Sequence, residues 1–146
     1  MIKLELINEN KLVSPDAVQF QNWAAQVASS LGVSGEICIK IVDESESQNL
    51  NHTYRNKNQP TNVLSFPAEI PHFVESAYLG DLAICADVVT QEAKEQNKQL
   101  NHHWAHMTIH GILHILGYDH IEDDEAEEME ALEVELLGLL HIQDPY

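Results

Sequence analysis

Five of the chain's nine histidines fall between His102 and His114, and a sixth follows at His120. In the stretch HGILHILGYDH, His110 and His114 stand four residues apart, which puts both imidazoles on one face of a helix. His102 and His106 extend the same spacing upstream, so His106, His110 and His114 form one conceivable metal triad. Helical geometry opposes it. Residues eight apart are separated by ~12 Å of rise, too far for three imidazoles to reach one ion at ~2.0–2.1 Å. His120 is the better third ligand. Gly117 can take the left-handed conformation that ends a helix and turns the chain back, which lets His120 swing beneath His110 and His114. Three neutral imidazoles leave one coordination position open for water, as in catalytic rather than structural zinc. One Zn2+ is therefore the expected cofactor, although three imidazoles also suit nickel or copper. His102, His103 and His106 are expected at the surface or in support of the ligands, and His52, His72 and His141 lack ligand spacing to one another.

The H-x3-H-x5-H spacing, with glycine three residues after the second histidine, resembles the ligand set of the metzincin zinc proteases. Those enzymes follow the first histidine with a glutamate that deprotonates the metal-bound water. Here that position is Gly111, which cannot act as a base. Asp119 is the nearest carboxylate, but it adjoins His120 and reads as an acceptor that orients that ring. Peptide hydrolysis is disfavoured on this chemistry. A zinc-bound water can still ionise near neutral pH without a protein base. Phosphodiester cleavage further needs charge neutralisation at the phosphate, which a metal and an arginine can supply. Arg55 is the only arginine, and it stands beside Lys57 in LNHTYRNKNQPTNVLSFP, at the junction of an expected helix and loop. It is the candidate catalytic residue. No general base is assigned.

Composition narrows the classes. The chain has 146 residues and a formal net charge of −17, from 24 acids against 7 Lys+Arg. That length suits one domain, 1–146, with a single core. Nothing basic follows Lys98, whereas residues 122–135 hold nine acids, which read as the solvated face of a helix. Such a balance argues against non-specific binding to nucleic acid or membranes, so neither a membrane nor DNA is an expected partner. No window approaches ~20 apolar residues, and MIKLELINEN reads as a first strand rather than a signal peptide. Cys38 and Cys85 sit in apolar, strand-like runs and are expected to be buried free thiols, with a cytoplasmic location.

The elements that must position these residues follow from periodicity. IKLELI (2–7) and EICIKIV (36–42) alternate as strands. Ser14-Pro15-Asp16 suggests a cap, a first-turn proline and an acid, opening a helix that turns Val18, Trp23, Val27 and Leu31 inward and stops at Gly32. A polar helix is expected from about Ser45 to Tyr54, then a loop, a short VLSF strand, a mobile loop at AEIPHFVESA and a strand at YLGDLAIC. Asp87 can cap a helix ending near Lys98. The histidine helix runs from about Leu100 to Leu116, and a last helix from about Asp123 to Leu139 buries Met129, Leu132, Leu136 and Leu140. Strands early and helices late suggest an α+β fold, a small mixed sheet covered by helices.

Three ordered motifs carry a more specific resemblance. HGILHILGYDH resembles the HGxLHLxGYDH signature of the YbeY family of bacterial endoribonucleases, YRNKNQPTNVLSFP resembles its YRxKDxPTDVLSFP segment, and YLGDLAIC resembles its LGDIxI strand. The motifs span about residues 50–120. The resemblance implies a metalloprotease-like (zincin-like) α+β layer with the metal at the C-terminal end of the histidine helix. It places the metal triad on His110, His114 and His120 and the motif arginine on Arg55. It further implies a metal-dependent, single-strand-specific ribonuclease acting at the 3′ end of small-subunit rRNA and in ribosome quality control. Single-stranded RNA, the small ribosomal subunit and assembly factors are the partners this suggests. Two departures stand out. The family's aspartates in the Pro-Thr segment are Asn58 and Asn62 here, which keep turn and hydrogen-bonding capacity but lose charge. The acidity is the second: favourable charge must be confined to a groove at the metal, Arg55 and Lys57, with the acidic helix facing away. The competing classes are a metal-dependent peptidase or esterase, and a ribosome-assembly binding factor whose metal is structural.

Overall fold

The computed structural model describes residues 1–70, 76–119 and 121–146. Among these, a four-stranded mixed sheet is packed by five helices. The strands are β1 (Ile2–Ile7), β2 (Gly35–Val42), β3 (Val63–Pro67) and β4 (Tyr78–Cys85), in the spatial order β1-β2-β4-β3. The first three in that order are parallel, and β3 runs antiparallel along one edge, with Leu64 opposite Ala83. The helices are α1 (Ala17–Leu31), α2 (Glu44–Arg55), α3 (Ala86–Glu95), α4 (Leu100–Ile115) and α5 (Asp123–Leu139).

Alternation along the strands assigns the two faces. Ile37, Ile39, Ile41, Leu82 and Ile84 point into the larger core, where they meet Phe20, Trp23, Val27, Trp104, Ile109, Ile112, Leu113 and Leu136. Each such aliphatic side chain contributes roughly 1.5–3 kcal/mol on burial. Phe20 sits edge-on to both Trp23 and Trp104, with centroids 5.4 and 5.9 Å away, which locks α1 against α4. The other face is thinner: Val42, Leu64, Ala83 and Cys85 pack with Leu50, Phe66 and Val88. Helix α4 therefore lies on one face of the sheet and α2 on the opposite face.

Local differences from the sequence expectation have local causes. Helix α1 is capped by Asp16 rather than Ser14, because Asp16 and Gln19 form a reciprocal capping box. Val18 then points outward, 67% exposed, and Phe20 and Ala24 take the inner positions. Asp87 lies in the first turn of α3 instead of capping it; Cys85 is the cap position, with no side-chain bond. Cys85 is buried, but Cys38 is only half-buried. Part of the AEIPHFVESA loop, residues 71–75, lies outside the described residues, as does His120.

Candidate metal centre

Helix α4 is buried around most of its circumference, so its sequence is apolar on several faces and its histidines stand among core residues. It ends as the sequence suggests. Gly117 has φ 104, its N–H bonds the His114 carbonyl at 3.1 Å, and the Tyr118 N–H reaches the Leu113 carbonyl at 3.0 Å. This paired termination satisfies carbonyls at the helix end and turns the chain away just before residue 120.

His110 and His114 converge, with their Nε2 atoms 3.1 Å apart. Two imidazole nitrogens on one tetrahedral ion at ~2.0–2.1 Å stand about 3.3 Å apart, so the pair has the separation of ligands to a shared cation. The far side of His110 is also engaged: its Nδ1 lies 2.6 Å from Glu133 Oε1. Glu133, from α5, is fully buried. Burial alone would push its carboxyl up, but hydrogen bonds from His106, His110 and Tyr146 pull it down to about 2. An ionised carboxylate only accepts, so the proton in this contact sits on His110 Nδ1. That leaves the Nε2 lone pair directed toward His114, the tautomer a metal ligand requires.

A second grouping is a candidate on proximity alone: the ligand atoms of His106, His110 and Glu133 all lie within 4.8 Å of one another. The contacts inside it are hydrogen-bond contacts. His106 Nε2 stands 3.2 Å from Glu133 Oε1 and 3.3 Å from the Tyr146 hydroxyl, which itself donates to Glu133 Oε2 at 2.7 Å. Burial lowers the His106 pKa against the pull of Glu133, so that ring stays neutral. At 2.6 Å the His110–Glu133 pair is closer than two ligands of one tetrahedral ion usually stand. The carboxylate–histidine contact instead matches the support that metal-binding histidines receive on their outer nitrogen.

His103 and His106 are thus buried, not superficial: His103 Nε2 contacts Glu92 Oε1 at 2.9 Å. Glu133 escaped the sequence reading because it is one of nine acids in residues 122–135. The available signal was its register. It sits four residues after Met129 and three before Leu136, on the apolar stripe that both define.

Gly111 faces the sheet. A Cβ there would meet Leu82 Cδ2 at 2.7 Å, Leu82 Cδ1 at 3.1 Å and Val63 Cγ2 at 3.2 Å. Its carbonyl accepts a hydrogen bond from Ser65 Oγ on β3 at 3.1 Å. The position that holds the base in zinc proteases is here a point of close helix–sheet approach.

Arg55 is exposed at the last residue of α2, across edge strand β3 from the histidines, and forms no ion pair among the described residues. The loop after it is braced. Ser47 Oγ donates to the Thr61 carbonyl and accepts from its N–H, Asn51 Nδ2 donates to the Gln59 carbonyl, and Gln48 donates to Asn58 Oδ1. Asn62 donates to both Glu92 oxygens at 3.2 Å while its Oδ1 accepts from the Val63 N–H. Both asparagines therefore serve structure, and Asn62 uses an amide donor that aspartate lacks. The Tyr54 ring packs edge-on against Phe66 of β3, with centroids 5.1 Å apart.

A cleft of about 370 Å³ opens at the C-terminal end of α4, lined by Leu116, Gly117, Tyr118, Asp119, Glu125 and Glu128. The first turns of α5 therefore flank this end instead of facing away from it.

Over residues 5–141 the chain matches the family described as Endoribonuclease YbeY. The chain belongs to the YbeY endoribonuclease family. The chain is also similar to the solution structure of TM1509 from Thermotoga maritima, at 26% sequence identity with a TM-score of 0.61; the alignment covers 97% of this chain and 92% of that one. As a YbeY family member the chain is an endoribonuclease, a hydrolase acting on RNA, and the family is metal-dependent and works in rRNA processing. No helix among the described residues is long and apolar enough to cross a membrane.

Proposed function

We propose that this single domain, 1–146, is a zinc-dependent, single-strand-specific endoribonuclease of the cytoplasm, maturing the 3′ end of small-subunit rRNA and acting in ribosome quality control. The observation that carries the metal assignment is the convergence of His110 and His114 Nε2, with the outer nitrogen of His110 held by buried Glu133. His120, outside the described residues, is proposed as the third ligand from its spacing alone. When bound, Zn2+ supplies Lewis-acid polarisation of the scissile phosphate and lowers the pKa of water.

The chain's own residues have separable tasks. His110 and His114 hold the ion. Glu133 fixes the His110 tautomer. Arg55 is proposed to stabilise charge developing on the phosphate, with Lys57 beside it, for a strand lying along the β3 edge between α2 and α4. The carboxylates of Asp119, Glu125 and Glu128 border the other side, where they repel phosphate and confine RNA to that edge. A peptidase reading lacks a base, since Leu82 and Val63 leave no room for a side chain at Gly111.

The test is a substrate panel with matched chelator controls. Single-stranded RNA should be cut in a metal-dependent way while casein and simple esters are not. Metal-dependent turnover of casein or ester, with none of RNA, overturns the assignment. Arg55→Ala should lower cleavage about 10²–10³-fold with metal content unchanged.

A further inference from the structure

The interaction that orients His110 does not end at Glu133. Glu133 divides its carboxylate between two tasks: Oε1 faces His110 Nδ1 at 2.6 Å and His106 Nε2 at 3.2 Å, and Oε2 accepts from the Tyr146 hydroxyl at 2.7 Å. Tyr146 is otherwise a surface residue, 61% exposed, yet its hydroxyl turns inward and its ring packs edge-on against His106, with centroids 5.4 Å apart. The approach to that position is also ordered: the Tyr146 N–H bonds Asp144 Oδ1 at 2.9 Å. Residues Ile142, Asp144 and Pro145 line a cavity of about 310 Å³ together with His103 and His106. An exposed tyrosine has no need of a buried carboxylate for its own solvation. The carboxylate does need the tyrosine, because its second oxygen is buried away from water and a buried charge is costly unless its lone pairs are satisfied.

We propose that Tyr146 and Glu133 form a positioning relay for the metal ligand His110, in which the tyrosine hydroxyl holds Oε2 and thereby aims Oε1 at His110 Nδ1. The relay rests on the metal assignment above and extends it to a residue in the segment after α5. Neither residue touches substrate; both act through the His110 ring. The relay keeps the proton on Nδ1 and the Nε2 lone pair toward His114. Without Tyr146, Oε2 must find another donor, and the carboxylate is free to rotate off the imidazole. His106 Nε2 approaches the same oxygen at 3.2 Å and helps to hold Oε1 in place.

The test measures zinc affinity by chelator competition, and the Co2+ absorption spectrum, on the full chain with wild type, Glu133→Gln and Tyr146→Phe. A glutamine can also turn its amide NH2 toward Nδ1, which favours the wrong tautomer. Zinc should bind about 10–100-fold more weakly to Glu133→Gln. A smaller loss is expected for Tyr146→Phe, with an altered Co2+ spectrum in both. Because Tyr146 is 61% exposed as a residue, Tyr146→Phe should fold even where Glu133→Gln does not. The 15N chemical shifts of His110 supply a readout that a merely structural role would leave unchanged: the Nδ1–H tautomer should be fixed in wild type and mixed in the variants. If wild type binds one ion and both variants bind it with unchanged affinity and spectrum, the relay is overturned while the metal assignment stands. If wild type binds no ion, the metal assignment fails and takes the relay with it.

Discussion

A methyl group at position 111 would have to enter space held by Leu82, which is buried, and by Val63 on the neighbouring strand. Alanine in place of glycine gains about 1 kcal/mol of helix propensity, but overpacking a core contact costs typically 1–3 kcal/mol. Since the closer of the two, Leu82, is buried in the core and Val63 is partly buried against it, Gly111→Ala should be destabilised by about 1 kcal/mol, read from urea unfolding. A variant as stable as wild type would show that α4 can move off the sheet. The histidine spacing made His110 and His114 legible from sequence because a helix converts a four-residue interval into a shared face. Glu133 was not legible as a partner, since pairing between α4 and α5 depends on how two helices dock. Arg55 was a candidate through its charge beside Lys57 and through its motif, since nothing in local spacing relates α2 to α4.

At the scale of elements, Glu92 ties three parts of the fold together: Asn62 ahead of β3, its own helix α3, and His103 on α4. Burial raises its carboxyl, but hydrogen bonds from His103 and Asn62 outweigh that and leave it below its ordinary value of 4.5. The folded chain therefore binds fewer protons at this site than the unfolded chain. This contribution is complete above the unfolded pKa and is lost as pH falls through the folded one. Wild type should be more stable than Glu92→Gln at neutral pH, with the gap narrowing as pH falls through the ordinary value of 4.5 and below it; a gap constant with pH would place the effect elsewhere. Asn62→Asp sets a second carboxylate against Glu92 and removes a donor to a charged group. It should cost about 1.5–3 kcal/mol near pH 7, with partial recovery in acid. Periodicity located most elements to within a residue or two, because alternation and four-residue spacing are fixed by backbone geometry. The parallel pairing of β2 with β4, and the placing of β3 at the edge, followed from long-range contacts that no local pattern encodes.

For the molecule as a whole, a net charge of −17 leaves little cationic surface for RNA. With Arg55 and Lys57 as the phosphate contacts, the dependence of log Kobs on log[salt] should have a slope of about −1.4, at roughly −0.7 per contact on single strands. Arg55→Ala should flatten that slope by about 0.7. A slope steeper than about −4 would mean more phosphate contacts than Arg55 and Lys57 supply and would contradict this assignment. The central claim is that a cation held by His110 and His114 is needed to cut RNA. It is tested most directly by measuring bound zinc and single-stranded RNA cleavage on wild type and His114→Ala, purified side by side. Wild type should carry one zinc per chain and cleave RNA, and His114→Ala should lose both while remaining folded. Cleavage at the wild-type rate by metal-free His114→Ala would contradict it.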